Sequence, residues 1–156
     1  MKFSGREDIS APSAVVFQQL TDYDTHERAA MRRGVQVRRI DGLAETGIGM
    51  TWSTKVRFRG RARHMTVELI EIINDEILVY RLDGSGLAGT FSLDLLALSP
   101  RKTRVAVALE FKPKNLTGRL LMQSLRILKP NLNRRFQARI RETARVLSGL
   151  PPENIS

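Results

Sequence analysis

The longest periodic pattern in the chain is helical and fills its last third. Between residues 116 and 149, apolar side chains recur at three- and four-residue spacing, and arginines occupy the opposite side. At about 100° per residue these positions form one stripe, the pattern of a helix with one buried face. The stripe consists of Leu121, Leu125, Leu128, Leu132, Phe136, Ile140, Thr143 and Leu147. We therefore expect a long C-terminal helix that packs against the preceding residues.

A proline lies inside this helical pattern. Pro130 lacks an N–H and its ring crowds the preceding turn, so it predicts a kinked helix or two segments that meet near residue 129. Residues 131–148 keep one apolar face, whereas residues 116–128 are apolar nearly all round. We expect 131–148 to be the part enclosed by the sheet. We expect 116–128 to form a lid, a cavity mouth, or a surface for a partner or membrane.

Before this helix the apolar positions alternate with a period of two. The clearest strand is 50–59, where Met50, Trp52, Thr54, Val56 and Phe58 share one face and polar side chains the other. Turn residues separate it from other predicted strands, which imply antiparallel pairing. These strands are 2–10, 35–41, 61–73, 77–83, 88–98 and 103–112.

Two short helices are predicted after the first strand. Pro12 is tolerated in a first helical turn and favours a helix over 12–21. Asp22, Asp24 and Thr25 can cap a second helix over 25–33, which Gly34 ends. The chain shows no repeat and no linker, so we predict one α+β domain over residues 1–150 and a C-terminal tail over 151–156.

Several short motifs resemble one known superfamily. Ile9-Ser10-Ala11-Pro12, followed by Val16, Phe17, Leu20 and Asp22, is similar to the opening of the START-like, helix-grip (SRPBCC) superfamily. Gly47-x-Gly49 before the strand with Trp52, and the terminal amphipathic helix, are similar too. The chain looks most like the polyketide cyclase/dehydrase and lipid-transport-like branch. This resemblance implies a curved sheet of about seven antiparallel strands wrapped around a long C-terminal helix, with a cavity between them.

The resemblance also implies a class of ligand. Members bind lipids, sterols, quinones, polyketides or plant hormones, and a minority catalyse cyclisation. We expect an apolar ligand to contact the concave face of the sheet and the helical stripe, because small-molecule sites combine an apolar lining with a few polar groups. The same residues could instead pack as a solid core. The predicted ligand-binding residues are Trp52, Thr54, Val56, Phe58, Tyr80, Phe91, Leu93, Val107, Leu109, Leu125, Leu132, Phe136 and Arg139.

Arg139 is the charged member of this set, because it falls within the apolar stripe of the helix. A guanidinium that faces a cavity suits a carboxylate, a phosphate or a polarised carbonyl. The alternative is that its charge reaches water at the edge of the helix.

No catalytic or metal-binding constellation stands out. Asp22, Asp24, His26 and Glu27 are ligand types at close spacing, but they match no metal motif and helix capping explains them. His64 is expected on the outer face of the sheet, without a Ser or Asp spaced for a triad. We therefore predict no catalytic residues, no metal and no cofactor.

The composition of the chain also bears on the cellular compartment in which the protein is expected. The 156 residues include no cysteine, which excludes disulfides and thiolate metal sites. No apolar run approaches the roughly 18 residues of a membrane span, and the N-terminus lacks the apolar core of a signal peptide. We expect a cytoplasmic protein.

The net charge of +10 raises the question of an anionic partner. A basic ladder of Lys55, Arg57, Arg59, Arg61 and Arg63 is expected on the outer pleat, where it could meet phosphates. Nucleic-acid readers interleave exposed aromatics with such charge, but Trp52 and Phe58 lie on the other face. Nucleic acid is therefore not expected, whereas an anionic membrane stays open. Carboxylates on neighbouring strands could also neutralise part of the ladder, namely Glu68, Asp94 and Glu110.

These observations favour a carrier or sequestering protein for a lipid-, quinone- or polyketide-like molecule. Two alternatives remain. One is a cyclase or aromatase-like enzyme in which Arg139 or Tyr80 polarises a carbonyl. The other is a basic peripheral module that docks on anionic membrane and exchanges a lipid or quinone. The oligomeric state is left open by the sequence.

Overall fold

The computed structural model describes residues 1–150, which form one antiparallel sheet and three helices. The predicted tail, 151–156, lies outside the described residues. Two short helices follow the first strand, and a long helix follows the last. The elements are β1 (Lys2–Ile9), α1 (Ser13–Leu20), α2 (Tyr23–Arg32), β2 (Gln36–Arg39), β3 (Thr51–Phe58), β4 (Arg61–Ile73), β5 (Ile77–Gly84), β6 (Leu87–Ser99), β7 (Lys102–Pro113) and α3 (Leu116–Leu147).

The sheet has seven strands in the order β1-β7-β6-β5-β4-β3-β2, and every neighbouring pair is antiparallel. Strands β2 to β7 form a meander, because each is joined to the next by a turn or loop. The first strand instead pairs with the last, so α1 and α2 connect one edge of the sheet to the other. The predicted α+β helix-grip architecture, with its curved sheet and long C-terminal helix, is confirmed.

Side-chain alternation places the main core on one face of this sheet. Leu69 and Tyr80 are paired across β4 and β5, and Leu93 and Val107 across β6 and β7. All four are buried in the same cluster as Val16 of α1. The period-two pattern therefore identifies the concave face, because paired residues on neighbouring strands point to the same side.

The basic ladder is divided between the two faces, which corrects the prediction. A two-residue turn, Arg59-Gly60, joins β3 to β4 and pairs Phe58 with Arg61. Odd-numbered residues of β4 therefore share the side of even-numbered residues of β3. Lys55 lies on the outer face as expected, but Arg61 and Arg63 share the side of Phe58 and Val56. The expected carboxylates do not neutralise the ladder, since Glu68 pairs with Arg81 and Glu110 with Lys112.

The long helix is continuous through Pro130, which rules out two separate segments and leaves the kinked helix as the remaining predicted form. Its C-terminal half crosses β1. There the Gln137 side-chain amide donates to the Ser4 carbonyl (2.7 Å), and the rings of Phe3 and Phe136 lie 5.8 Å apart. The end of the helix is also attached to the sheet, because the Ser10 N–H donates to the Ser148 hydroxyl at 2.9 Å.

The N-terminal half of α3 packs on a second, smaller core. Leu121 and Met122 are buried with Leu87, and Phe58 and Leu125 pack against them. The first turn also lies against the β5–β6 turn, where a Cβ added to Gly118 would overlap the Gly86 carbonyl. This close approach explains why glycine occupies position 118, the third residue of the helix.

Candidate functional site

A cavity of about 430 Å³ lies between the concave face of the sheet and the helices α2 and α3. Its volume falls within the roughly 300–1,000 Å³ that is usual for small-molecule sites. Sheet, α1, α2 and the C-terminal half of α3 all contribute to the wall. The lining consists of Glu7, Ile9, Leu20, Tyr23, His26, Glu27, Ala30, Val37, Trp52, Thr54, Val67, Tyr80, Phe91, Leu93, Val105, Val107, Phe136, Arg139, Ile140, Thr143, Ala144 and Leu147.

Aromatic rings form a continuous row along one wall of the cavity. Trp52 on β3 lies 4.8 Å from Tyr23 on α2 and 6.3 Å from Tyr80 on β5, measured between ring centroids. Tyr80 is in turn 6.1 Å from Phe91, its direct cross-strand partner. All of these pairs are tilted, an arrangement that aromatic quadrupoles favour. The wall therefore presents a large and rigid apolar surface.

Two tyrosine hydroxyls meet inside this wall. The hydroxyls of Tyr23 and Tyr80 are 2.8 Å apart and share a hydrogen bond. Burial raises the pKa of Tyr80 far above its ordinary value, and the adjacent Tyr23 acts in the same direction. Burial also raises the pKa of Tyr23, although its hydrogen bond to Tyr80 and the Arg39 cation partly oppose this. Both phenols are therefore neutral at physiological pH, and one O–H remains as a donor.

The indole of Trp52 is fixed by polar contacts on its other side. Its Nε1–H donates to the Glu27 carboxylate at 2.7 Å, which attaches β3 to α2. The guanidinium of Arg39 lies 5.6 Å from the indole centroid, within cation–π distance. Arg39 is itself held by Asp41 through two hydrogen bonds of 2.7 Å. That interaction, together with the Thr51 N–H, holds the pKa of Asp41 well below its usual range.

The cavity opens to solvent between α2 and α3. Three lining side chains are exposed there, namely His26 on α2 and Arg139 and Thr143 on α3. Of the described residues that line the cavity, Arg139 is the only Arg or Lys. Partial desolvation lowers the pKa of Arg139, the nearby Arg33 acts in the same direction, and Glu142 opposes both. Arg139 thus places a positive charge at the mouth of an otherwise mostly apolar cavity.

Comparison with solved structures identifies this architecture. The Zhui aromatase/cyclase from Streptomyces sp. R1128 matches with a TM-score of 0.64 and 14% identity, over 93% of this chain and 94% of that chain. Truncated norcoclaurine synthase from Thalictrum flavum matches with a TM-score of 0.66 and 8% identity, over 94% and 92%. A START superfamily protein from Mycobacterium smegmatis matches with a TM-score of 0.58 and 12% identity, over 88% and 97%.

The chain has the START-like, helix-grip fold. No protein-family model matches the sequence, and no curated protein matches it either. The START-like assignment therefore depends on the architecture, which the order of elements in the sequence predicted.

The START-like fold brings together eight of the thirteen residues predicted to bind a ligand. These eight line the cavity: Trp52, Thr54, Tyr80, Phe91, Leu93, Val107, Phe136 and Arg139. Their role in ligand binding stays a prediction, but their common location is a property of the fold.

The other five predicted residues do not line the cavity. Phe58 and Leu125 pack on the second core, because the N-terminal half of α3 covers that end of the sheet. Val56 points to the concave side near the β3–β4 turn, beyond the cavity, and is 42% exposed. Leu109 and Leu132 are half-buried outside the lining.

Helix α2 supplies four of the fourteen lining residues that are absent from the predicted set. Tyr23, Glu27 and Ala30 recur at four- and three-residue spacing, so they share one face of α2. That spacing was the available signal, but the helix is strongly polar and none of its residues is fully buried. Glu7 was also missed, although it lies on the inner side of β1 with Ile9.

Asp22, His26 and Glu27, which were considered as metal ligands, each make a different structural contact. Asp22 caps α2 by accepting from the Thr25 N–H and hydroxyl, as predicted. The His26 Nε2 lies 3.0 Å from the Gln19 carbonyl, and Glu27 holds Trp52. His64 lies on the outer face within 2.7 Å of the Ser53 hydroxyl. Within residues 1–150, no three His, Cys, Asp or Glu side chains are grouped to hold a metal ion.

No helix within residues 1–150 combines the length and the apolar character that crossing a bilayer requires.

Proposed function

We propose that this chain binds a hydrophobic small molecule in the cavity between the sheet and α3, as a carrier or sequestering protein. The observation that carries this proposal is a solvent-accessible cavity of about 430 Å³ whose lining is mostly apolar and aromatic, with few polar groups. A ligand that buries apolar surface there would gain about 25 cal/mol per Å², from which the cost of association is subtracted. A lipid-, quinone- or polyketide-like molecule has the required character.

The polar groups suggest how such a ligand would be oriented. Arg139 at the mouth would hold a carboxylate, phosphate or polarised carbonyl, because its guanidinium offers several donors in a fixed plane. The Tyr23–Tyr80 pair offers one further donor deeper in the cavity. We infer that the ligand carries its most polar group at the end near α2 and α3.

Native mass spectrometry and a fluorescence titration test the carrier function. Protein purified without denaturant is expected to retain a co-purified small molecule. Trp52 is the only tryptophan and lies in the cavity wall, so decylubiquinone and palmitate should change its fluorescence in a saturable manner. A clean apo mass combined with no response to either probe would overturn the proposal.

A matched pair of variants localises the binding. Thr143→Phe should obstruct the mouth, because Thr143 is an exposed lining residue. Val146→Phe adds a ring to the same helix at an exposed position outside the lining. We expect the first variant to weaken probe binding at least tenfold and the second to leave it unchanged. Equal effects would place the bound probe elsewhere.

A cyclase or aromatase-like activity is a second candidate, favoured by the hydroxyl pair. Both phenols have raised pKa values and remain protonated in the cavity, so the O–H that their mutual hydrogen bond leaves free can donate to a substrate carbonyl that gains negative charge. One neighbour with this fold is an aromatase/cyclase. Turnover of a poly-β-keto substrate that is lost in Tyr80→Phe or Arg139→Ala, with binding retained, would support it. Binding without turnover would leave the carrier function alone.

A further inference from the structure

The positive charge of the chain is concentrated in two segments. Residues 55–63, which we call the basic hairpin, carry five Lys or Arg and no Asp or Glu. Residues 116–135 of α3 also carry five and no acidic residue. Since the whole chain has 26 basic and 16 acidic residues, the remainder is balanced at 16 of each. These two segments therefore account for the entire net charge of +10.

The fold makes the two segments neighbours. Phe58 of the basic hairpin packs against Leu121 and Met122 of α3, together with Leu125. None of the ten cations forms an ion pair with a carboxylate of residues 1–150. The ion pairs of that region of the chain use Arg39, Arg81, Arg104, Lys112 and Lys114 instead. The two neighbouring segments thus carry ten cations that have no carboxylate partner within residues 1–150.

The same part of α3 exposes an apolar stripe to solvent. Leu116, Leu120 and Ile127 are 70%, 57% and 76% exposed. At 3.6 residues per turn they fall within an arc of about 40°, roughly opposite the buried Leu121 and Met122. We call these three residues the outer stripe. Arg119 and Arg126 lie along one side of it, which gives the amphipathic pattern of a helix that lies in a membrane interface.

We propose that the outer stripe and the basic hairpin dock this chain on a bilayer that contains anionic lipids. In this arrangement the leucines and isoleucine enter the boundary between headgroups and acyl chains, and the cations contact lipid phosphates. A nucleic acid fits less well, because the stripe offers no aromatic ring on which a base could stack. A second copy of this chain fits less well too, since it would bring two uncompensated cationic regions together.

This docking surface is separate from the cavity. The α3 residues that line the cavity begin at Phe136, whereas the outer stripe ends at Ile127. The proposal therefore does not depend on what the cavity binds. A soluble probe that reaches the cavity, read by Trp52 fluorescence, should bind equally well to variants of the docking surface.

Vesicle co-sedimentation tests the proposal on the intact chain. Vesicles of phosphatidylcholine with phosphatidylglycerol should bind the protein, and vesicles of phosphatidylcholine alone should bind it far more weakly. The affinity for anionic vesicles should fall as salt is added, because screening weakens contacts between exposed charges. Absence of binding to anionic vesicles at low ionic strength would overturn the proposal.

Two matched pairs of double variants separate charge from apolar insertion. Arg119→Gln/Arg126→Gln should weaken binding about fivefold for each cation removed, whereas Arg101→Gln/Lys102→Gln, in the β6–β7 turn and at the start of β7, should have little effect. Leu120→Gln/Ile127→Gln should weaken binding at least about tenfold. Its control is Leu96→Gln/Leu98→Gln, because those leucines are exposed at 58% and 41% on β6. Equal losses within each pair would contradict the assignment.

A fluorescent label on the outer stripe supplies a second measurement, which reports insertion into the bilayer directly and does not depend on weakening the binding. The sequence has no cysteine, so Leu120→Cys creates one site for an environment-sensitive dye. Its emission should shift to the blue on anionic vesicles, and a dye at Leu96→Cys should not respond. Tight binding to a single-stranded oligonucleotide that needs the arginines but not the stripe would instead assign the surface to nucleic acid. Self-association abolished by the stripe variant would assign it to a second copy.

Discussion

The hydroxyls of Tyr23 and Tyr80 lie 2.8 Å apart and connect α2 to the centre of the sheet. Tyr80 is almost completely buried, whereas Tyr23 is half-buried. The two rings also contact Trp52, so the pair fixes the wall of the cavity at the point where the sheet meets α2. Because Tyr80 is the more deeply buried, the two hydroxyls should contribute unequally to the free energy of unfolding. Because they share a hydrogen bond, the effects of removing each one should be coupled.

A double-mutant cycle should reveal this coupling. Tyr23→Phe leaves the buried Tyr80 hydroxyl without its partner and should lower the free energy of unfolding by about 1–3 kcal/mol. Tyr80→Phe should cost less, because the Tyr23 hydroxyl can reach water. The double variant should cost less than the sum, with a coupling of about 0.5–1.5 kcal/mol. Urea denaturation of the four proteins measures these values, and strict additivity would show that the hydroxyls do not interact in solution.

The same pair predicts how stability changes in alkali. A tyrosine in the unfolded chain ionises near pH 10.0, whereas burial raises the pKa of folded Tyr80 well above that. Above pH 10 the folded chain therefore keeps a proton that the unfolded chain loses, so stability falls as pH rises. The contribution of Tyr80 is fully present below pH 10 and declines above it by up to about 1.4 kcal/mol per pH unit.

Chemical denaturation between pH 9 and 11 checks this. Tyr80→Phe should lose less stability across that range than the parent protein, since it lacks the phenol whose pKa is raised more strongly. Val79→Ile on the same strand serves as a control that retains both tyrosines. An identical decline in Tyr80→Phe and the parent would show that the phenol ionises at its ordinary pKa in the folded state.

Asp41 is the group whose shifted pKa should make stability depend on pH in acid, as Tyr80 does in alkali. Its carboxylate accepts from the Arg39 guanidinium and from the backbone N–H groups of Thr51 and Leu43, which holds its pKa well below 3.8. The stability from this site is therefore present above pH 3.8 and is lost as pH falls below it. Asp41→Asn should be less stable than the parent at pH 7 and should show a smaller further loss between pH 4 and 2.

Thermal unfolding across this acid range measures the effect. Glu45→Gln removes a nearby exposed carboxylate and should leave both the stability and its pH dependence almost unchanged. If Asp41→Asn followed the parent curve at every pH, the ion pair with Arg39 would contribute nothing in solution. Release of Arg39 in Asp41→Asn should also alter the fluorescence of Trp52, because the guanidinium lies over the indole.

The strands and helices could be predicted because each rule is local. The alternation at Met50, Trp52 and Thr54 follows from the pleat of a single strand. The start of α1 at Ser10-Ala11-Pro12-Ser13 follows from the geometry of a first helical turn. The choice between one kinked helix and two segments at Pro130 could not be made in this way. Tertiary contacts on both sides of the proline, at Met122 and Phe136, outweigh the local cost of a missing hydrogen bond.

The parts of the site that were missed depend on how separate elements meet. Tyr23 reaches Tyr80 because α2 packs against the sheet. The spacing of Tyr23, Glu27 and Ala30 marks one face of α2, but it does not indicate which strand that face meets. The orientation of Arg61 and Arg63 depends on the number of residues in the turn that precedes them, since a two-residue turn reverses the parity of the inner face. Cavity walls formed by a single strand were therefore easier to predict than those shared between elements.

The contact of Gly118 with Gly86 gives the last prediction. Gly118 lies in the first turn of α3, where its N–H donates to the Asn115 side chain at 2.9 Å. A Cβ at this position would overlap the Gly86 carbonyl, which also accepts from the Lys114 N–H. Gly118→Ala should therefore lower the free energy of unfolding by about 1–3 kcal/mol, although alanine is intrinsically the better helix former by about 1 kcal/mol.

Urea denaturation separates these opposing effects. Gln123→Ala, at an exposed position of the same helix, should change the stability by less than about 0.5 kcal/mol, because it gains propensity without a clash. The clash in Gly118→Ala must displace either the first turn of α3 or the β5–β6 turn, since backbone atoms of Gly86 cannot move aside independently. A Gly118→Ala protein as stable as Gln123→Ala would mean that the start of α3 is not held against that turn.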